Sequence, residues 1–115
     1  MESKIRIRPA NGTWVVRAGG AVLGETSAAL SVSRGDAPIV IYFPRGDIAM
    51  DFLDEGGQGA DDPVLGTARQ FSIVTKSRTL QNAAWSYEAP ADPELEAIRG
   101  HVAFDAADAV QVEKV

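Results

Sequence analysis

Apolar and polar residues alternate with a period of two along most of this chain, the pattern of half-buried β-strands. Ile5 and Ile7 alternate with Lys4, Arg6 and Arg8. Trp14, Val16 and Ala18 alternate with Thr13, Val15 and Arg17, and Gly19-Gly20 then supplies a two-residue hairpin turn from which residues 21–23 return antiparallel. Ala28, Leu30 and Val32 alternate with Ala29, Ser31 and Ser33, and this strand ends at Arg34-Gly35-Asp36. Residues 38–43 (Pro-Ile-Val-Ile-Tyr-Phe) are apolar on both faces, which predicts a central strand covered on both sides and stopped by Pro44.

A turn is expected at Arg45-Gly46-Asp47, and residues 48–53 read either as a strand or as a helical turn. The glycine-rich, acidic residues 54–62 (Asp-Glu-Gly-Gly-Gln-Gly-Ala-Asp-Asp) read as a mobile loop. Residues 67–74 and 79–87 form a hairpin through Lys76-Ser77-Arg78. One short helix is predicted near residues 93–99: Asp92 caps it, Pro93 suits its first position, Glu94 complements its positive end, and Gly100 suits its exit, with Leu95 and Ile98 buried. Val110 and Val112, alternating with Gln111 and Glu113, make a last strand. The predicted fold is therefore mainly β: a compact single domain, residues 1–115, of eight or nine short antiparallel strands in two packed sheets.

Composition narrows the chemistry. A length of 115 residues suits one core, and roughly two thirds of the unfolded surface is buried by a chain of this size. With no cysteine, disulfides, thiolate metal sites and thiol catalysis are excluded, and a reducing cytoplasm is the expected compartment. No apolar run approaches the ~18 residues of a membrane span, and Met1-Glu2-Ser3-Lys4 opens no signal peptide. Sixteen acidic against eleven basic residues give a formal charge of −5, which disfavours nucleic acid as a partner. Lys4, Arg6 and Arg8 lie on one face of a strand, where they either protect a sheet edge or hold an anion.

Candidate site residues concentrate in three segments. Tyr42 and Arg45 flank the end of the predicted central strand; the Arg45 guanidinium suits a carboxylate or phosphate, or else a salt bridge to Asp47 or Asp51. Trp85 and Tyr87 share a strand face with Ala83 and serve either as core anchors or as a wall on which a flat ligand stacks. Asn82 either closes a turn or presents its amide to the same cleft. His101, the single histidine, follows Gly100; it is either a hydrogen-bonded structural residue or an acid, base or ligand contact partnered by Arg45, Asp47 or Glu88. One histidine with oxygens is a poor zinc set, so neither metal nor cofactor is expected.

Pro44-Arg45-Gly46-Asp47-Ile48, Asn82-Ala83-Ala84-Trp85-Ser86-Tyr87 and Gly100-His101-Val102-Ala103-Phe104, in this order and at about this spacing, resemble a small bacterial family, domain-of-unknown-function family 427, which also carries a nucleotidyltransferase-like name. The resemblance runs from about Arg8 to Val112. It implies a β-tent-like fold similar to that of some zinc-binding domains and methionine sulfoxide reductases, in which cysteine pairs hold zinc; this chain has none. Where family members often carry Cys-Pro-x-Lys-Gly, this chain has Asp62-Pro63-Val64-Leu65-Gly66, and where an acidic residue often follows the arginine it has Gly46. Any chemistry of that cysteine or lysine is therefore lost here.

The nucleotidyltransferase-like name finds no support in the residues. Two-metal nucleotidyl transfer needs carboxylates converging on ions ~4 Å apart, whereas Asp47 and Asp51 are one turn apart on a helix and roughly 13 Å apart on a strand. Gly56-Gly57-Gln58-Gly59 lacks the Lys-Ser/Thr of a P-loop, and no Gly-x-Ser-x-Gly elbow surrounds Ser72, Ser77 or Ser86. The function expected is a cytoplasmic binding module whose cleft of Tyr42, Arg45, Asp47, Asn82, Trp85, Tyr87 and His101 accepts a small anionic or aromatic ligand or a peptide. A small enzyme using His101 as acid or base, and an assembly module pairing through strand edges such as residues 5–8, stand as alternatives, and oligomeric state is left open.

Overall fold

A computed structural model describes residues 5–18, 20–62, 65–76, 78–90, 93–105 and 110–115. Ten strands are present: β1 (Ile5–Pro9), β2 (Trp14–Ala18), β3 (Ala21–Thr26), β4 (Leu30–Arg34), β5 (Val40–Pro44), β6 (Leu53–Asp62), β7 (Gly66–Val74), β8 (Thr79–Tyr87), β9 (His101–Phe104) and β10 (Val110–Lys114). They form a seven-stranded sheet, in the order β1-β4-β5-β9-β8-β7-β6, and a three-stranded sheet, β10-β2-β3, with every pairing antiparallel. The mainly-β, two-sheet expectation is met, with ten strands where eight or nine are expected.

The large sheet is clothed differently on its two faces. Its first face packs against the small sheet: Val16, Leu23 and Val110 meet Phe43, Phe71, Ile73, Val102 and Phe104 in one buried cluster. Phe43 and Phe104 stand edge to face, with ring centroids 5.8 Å apart, the arrangement that ring quadrupoles favour. The second face carries another cluster, in which Tyr42, Val32 and Ala103 lie under Leu95 and Ile98 with Trp85 and Tyr87 packed against them. So β5 is covered on both sides, as its continuous apolar run predicts: Phe43 belongs to one cluster and Tyr42 to the other.

The two sheets meet closely at one point. Gly24 of β3 bridges Ile48, and the Ala49 amide donates to the Leu23 carbonyl at 2.7 Å. A Cβ on Gly24 would stand 2.5 Å from Ile48 Cδ1 and 2.7 Å from the Asp47 carbonyl oxygen, so this contact requires glycine. Thr26 adds a second tie: its hydroxyl donates to Asp47 Oδ2 at 2.7 Å and accepts the Ala28 amide at 2.9 Å.

One expected element is corrected and two are specified. Residues 54–62 are not a loop but most of β6, the longest strand, paired with β7 from Leu53↔Ile73 to Asp62↔Gly66. Its composition misleads because the glycines serve the strand itself: a Cβ on Gly56 would lie 3.0 Å from Asn82 Oδ1 and one on Gly59 3.1 Å from the Gln70 side chain, while Gly57 has open space around it and a φ of 105°. The segment near 93–99 is a 3-10 helix, Pro93–Ile98, which buries Leu95 and Ile98 as predicted and exits through Gly100 at φ 74°. Its expected cap, Asp92, lies outside the described residues, as do Gly19 of the first hairpin and Ser77 of the second. Of the two readings of residues 48–53, strand or helical turn, the second holds: a short 3-10 helix, Met50–Phe52, precedes β6.

Candidate functional site

Residues paired across an antiparallel ladder project to the same face, and neighbours along a strand to opposite faces. Tyr42, Ala103 and Trp85 are register partners across β5, β9 and β8, so all three lie on the second face. Phe43, Val102, Ser86 and Arg69 form the adjoining row on the first face. The three segments that carry the family resemblance thus lie side by side: the turn that leaves β5 after Pro44, then β9, then β8.

Their side chains, however, are divided by the sheet. On the second face the Trp85 indole N–H donates to the Tyr42 hydroxyl at 3.2 Å, reaching across the small Ala103. Tyr87 belongs to the same cluster. His101 pairs with Pro44, which places it on this face too, and its Nδ1 lies 3.2 Å from the Arg99 carbonyl oxygen.

Arg45 occupies the opposite face. Its amide donates to the Gly100 carbonyl at 3.0 Å, so its backbone lies beside that of His101. Its side chain, however, follows the direction of Phe43. The guanidinium carbon sits 5.9 Å from the Phe71 ring centroid, and Nη2 pairs with Glu88 and lies 3.4 Å from the hydroxyl of fully buried Ser86. Its Nε–H is buried with no hydrogen-bond partner among the described residues.

Asp47 and Asn82 go elsewhere. Asp47 is spent on Thr26, fastening the Arg45–Asp47 turn to the end of β3. Asn82 adopts φ 53°, a left-handed conformation that asparagine tolerates, and its amide donates to the Ser72 hydroxyl at 3.3 Å. It marks an irregularity in the β7–β8 ladder, where Ala84 faces Phe71 but Leu80 already faces Ile73. That irregularity also turns Ala83 into the first cluster, away from the face of Trp85 and Tyr87 with which simple alternation groups it.

Beyond Arg45 the first face changes from apolar to charged. A surface cavity of about 310 Å³ opens there, lined by Glu55 and Gly57 of β6, Thr67, Ala68 and Arg69 of β7, and Glu88 and Ala89 beyond β8. Arg69 Nε pairs with Glu55 Oε1 at 3.4 Å, and the Thr67 hydroxyl donates to Asp61. The Arg69–Glu55 pair and Glu88, which pairs with Arg45, therefore line one opening, all four side chains of the two pairs between about a third and two thirds exposed. Half-exposed pairs hold each other weakly enough to exchange partners with a ligand.

Sequence reasoning names Arg45 and reaches Glu88 only as a partner for His101. It misses Glu55, Thr67 and Arg69. The signal for two of them is present, since Thr67, Arg69 and Phe71 share a face by period two. Glu55 has no face until residues 54–62 are seen to be a strand.

These features define an all-β, two-sheet protein with a charged opening at one end of its large sheet. The chain belongs to the family described as Domain of unknown function (DUF427), whose model matches residues 6–115. A comparison with curated proteins finds no match. Among the described residues no helix is long and apolar enough to cross a membrane.

Proposed function

We propose that the protein is a binding module for a small charged ligand or a peptide segment, and that its site is the cavity between β6, β7 and the end of β8. The observation that carries this reading is that the partly exposed Arg69–Glu55 pair and Glu88, itself paired with Arg45, line one cavity of about 310 Å³, a volume at the lower end of ligand pockets. Arg45 adds support. A buried N–H without a partner costs about 1–3 kcal/mol, so a structure selected for stability alone gains nothing from this arrangement. A ligand carrying both an anionic and a cationic group can engage a guanidinium and a carboxylate together and so replace an internal pair without leaving a bare charge.

A flat aromatic ligand is less favoured, because the Trp85 indole N–H is already engaged by Tyr42 and both rings pack with Leu95 and Ile98. Catalysis by His101 is less favoured too, since the carboxylates expected to partner it are engaged elsewhere, Glu88 with Arg45 and Asp47 with Thr26. The reading includes a cytoplasmic location, the compartment that a chain without cysteine suits.

Thermal-shift titration with amino acids, dipeptides, carboxylates and phosphates tests it. A ligand at a hundredfold its Kd is expected to raise Tm on the order of 10 °C. Arg69→Ala should abolish the shift; equal shifts in the variant, or none across the panel in the native protein, would remove the site.

A further inference from the structure

We propose that the outer edge of β6, together with this cavity, takes a short lysine- or arginine-rich segment as an additional strand of the large sheet. The inference rests on the reading of the cavity as a ligand site and names the class of ligand. β6 is the last strand of the seven, and among the described residues nothing pairs with its outer side. Its run Asp54, Glu55, Gly56, Gly57 is exposed, two of the four being glycines without a side chain to cover the backbone, and the strand holds four acidic residues and no basic one.

Free edges of this kind accept an extended peptide through main-chain hydrogen bonds, and pockets beside the edge select alternate side chains. The cavity is such a pocket: Glu55 and Gly57 belong to β6 itself, and Glu88 closes the far wall. Both ion pairs run through Oε1 of the glutamate, which leaves Oε2 of Glu55 and of Glu88 without a partner among the described residues and open to an incoming ammonium or guanidinium. Register shifts at residues 55–57 and 58–61 break the edge into short stretches, so the docked strand is short and the cavity contributes much of the selectivity.

A second copy of this chain fits the edge less well. Two β6 strands side by side set Asp54, Glu55 and Asp61 against the same acids. The opposite edge, β1, is basic through exposed Arg6 and Arg8. Pairing β1 of one copy with β6 of another joins two different edges, however, and repeating that contact in one plane gives an open-ended array that never closes.

The probe is a labelled ten-residue peptide of alternating lysine and threonine, followed by fluorescence anisotropy. Two further versions are N-methylated on one or the other alternate set of residues. Strand addition predicts saturable binding, a loss of tenfold or more on methylating one set and little on methylating the other, and a loss of fivefold or more in the Glu55→Gln/Glu88→Gln protein. Equal binding by all three peptides, or no saturable binding, would overturn it. Lysine amide in a parallel thermal-shift series separates the two readings: if it stabilises the protein while peptides gain nothing from length, the cavity stands and the added strand falls; if neither binds, both fall. Self-association in sedimentation that Arg6→Glu/Arg8→Glu abolishes would assign the edge to a second copy and overturn the peptide.

Discussion

β5 and β8 are joined twice across β9, once on each face of the large sheet, and the two joints rest on different physics. On the second face, Trp85 reaches over Ala103 to the Tyr42 hydroxyl, a neutral hydrogen bond set among packed apolar side chains. On the first face, Arg45 reaches past the end of β9 to Glu88, an ion pair about a third exposed on both sides. A neutral bond in a packed setting is little touched by salt and contributes to stability, whereas a half-exposed ion pair is screened and contributes almost nothing. The strands that hold the fold together on one face are thereby free, on the other, to present charge to a ligand.

The largest effect should come from the packing that both joints presuppose. Phe43→Ala removes a fully buried ring next to Phe104 and should cost about 3–5 kcal/mol in urea denaturation. A much smaller loss would mean that the first face is not the principal core. Ala103→Leu inserts bulk beneath the Trp85–Tyr42 bridge, where no space remains, and should cost about 1–3 kcal/mol; a neutral result would show that the second-face joint is loose.

Double-mutant cycles then compare the joints directly. The Trp85→Phe/Tyr42→Phe cycle should return a coupling of about 0.5–1.5 kcal/mol that persists in 1 M salt. The Arg45→Met/Glu88→Gln cycle should return less than about 1 kcal/mol, fading in the same salt. Reversal of that order would make the ion pair the structural joint and leave the cavity without its exchangeable partner.

Much of this molecule is legible without coordinates. Period-two alternation in residues 5–8, 14–18, 67–74 and 110–113 identifies strands because each must bury one face, and the unbroken apolar run before Pro44 identifies a strand buried on both. Composition misleads where packing overrides it. β6 reads as a loop from its glycines and acids, yet Gly56 and Gly59 face Asn82 and Gln70 across the ladder, a demand that arises only between strands.

The candidate site shows the same division. Local sequence singles out Arg45, Trp85 and His101, and the fold brings their segments side by side. Which side of the sheet each side chain takes depends on register, and a shift of one residue exchanges the faces. Register is settled by pairing between segments tens of residues apart. Strand identity, the double burial of β5 and the exit through Gly100 follow from the chain alone, because each is a local steric or solvation requirement. The separation of Arg45 from the aromatics, the strand character of β6 and the meeting of Glu55 with Arg69 and Glu88 follow only from the assembled sheet.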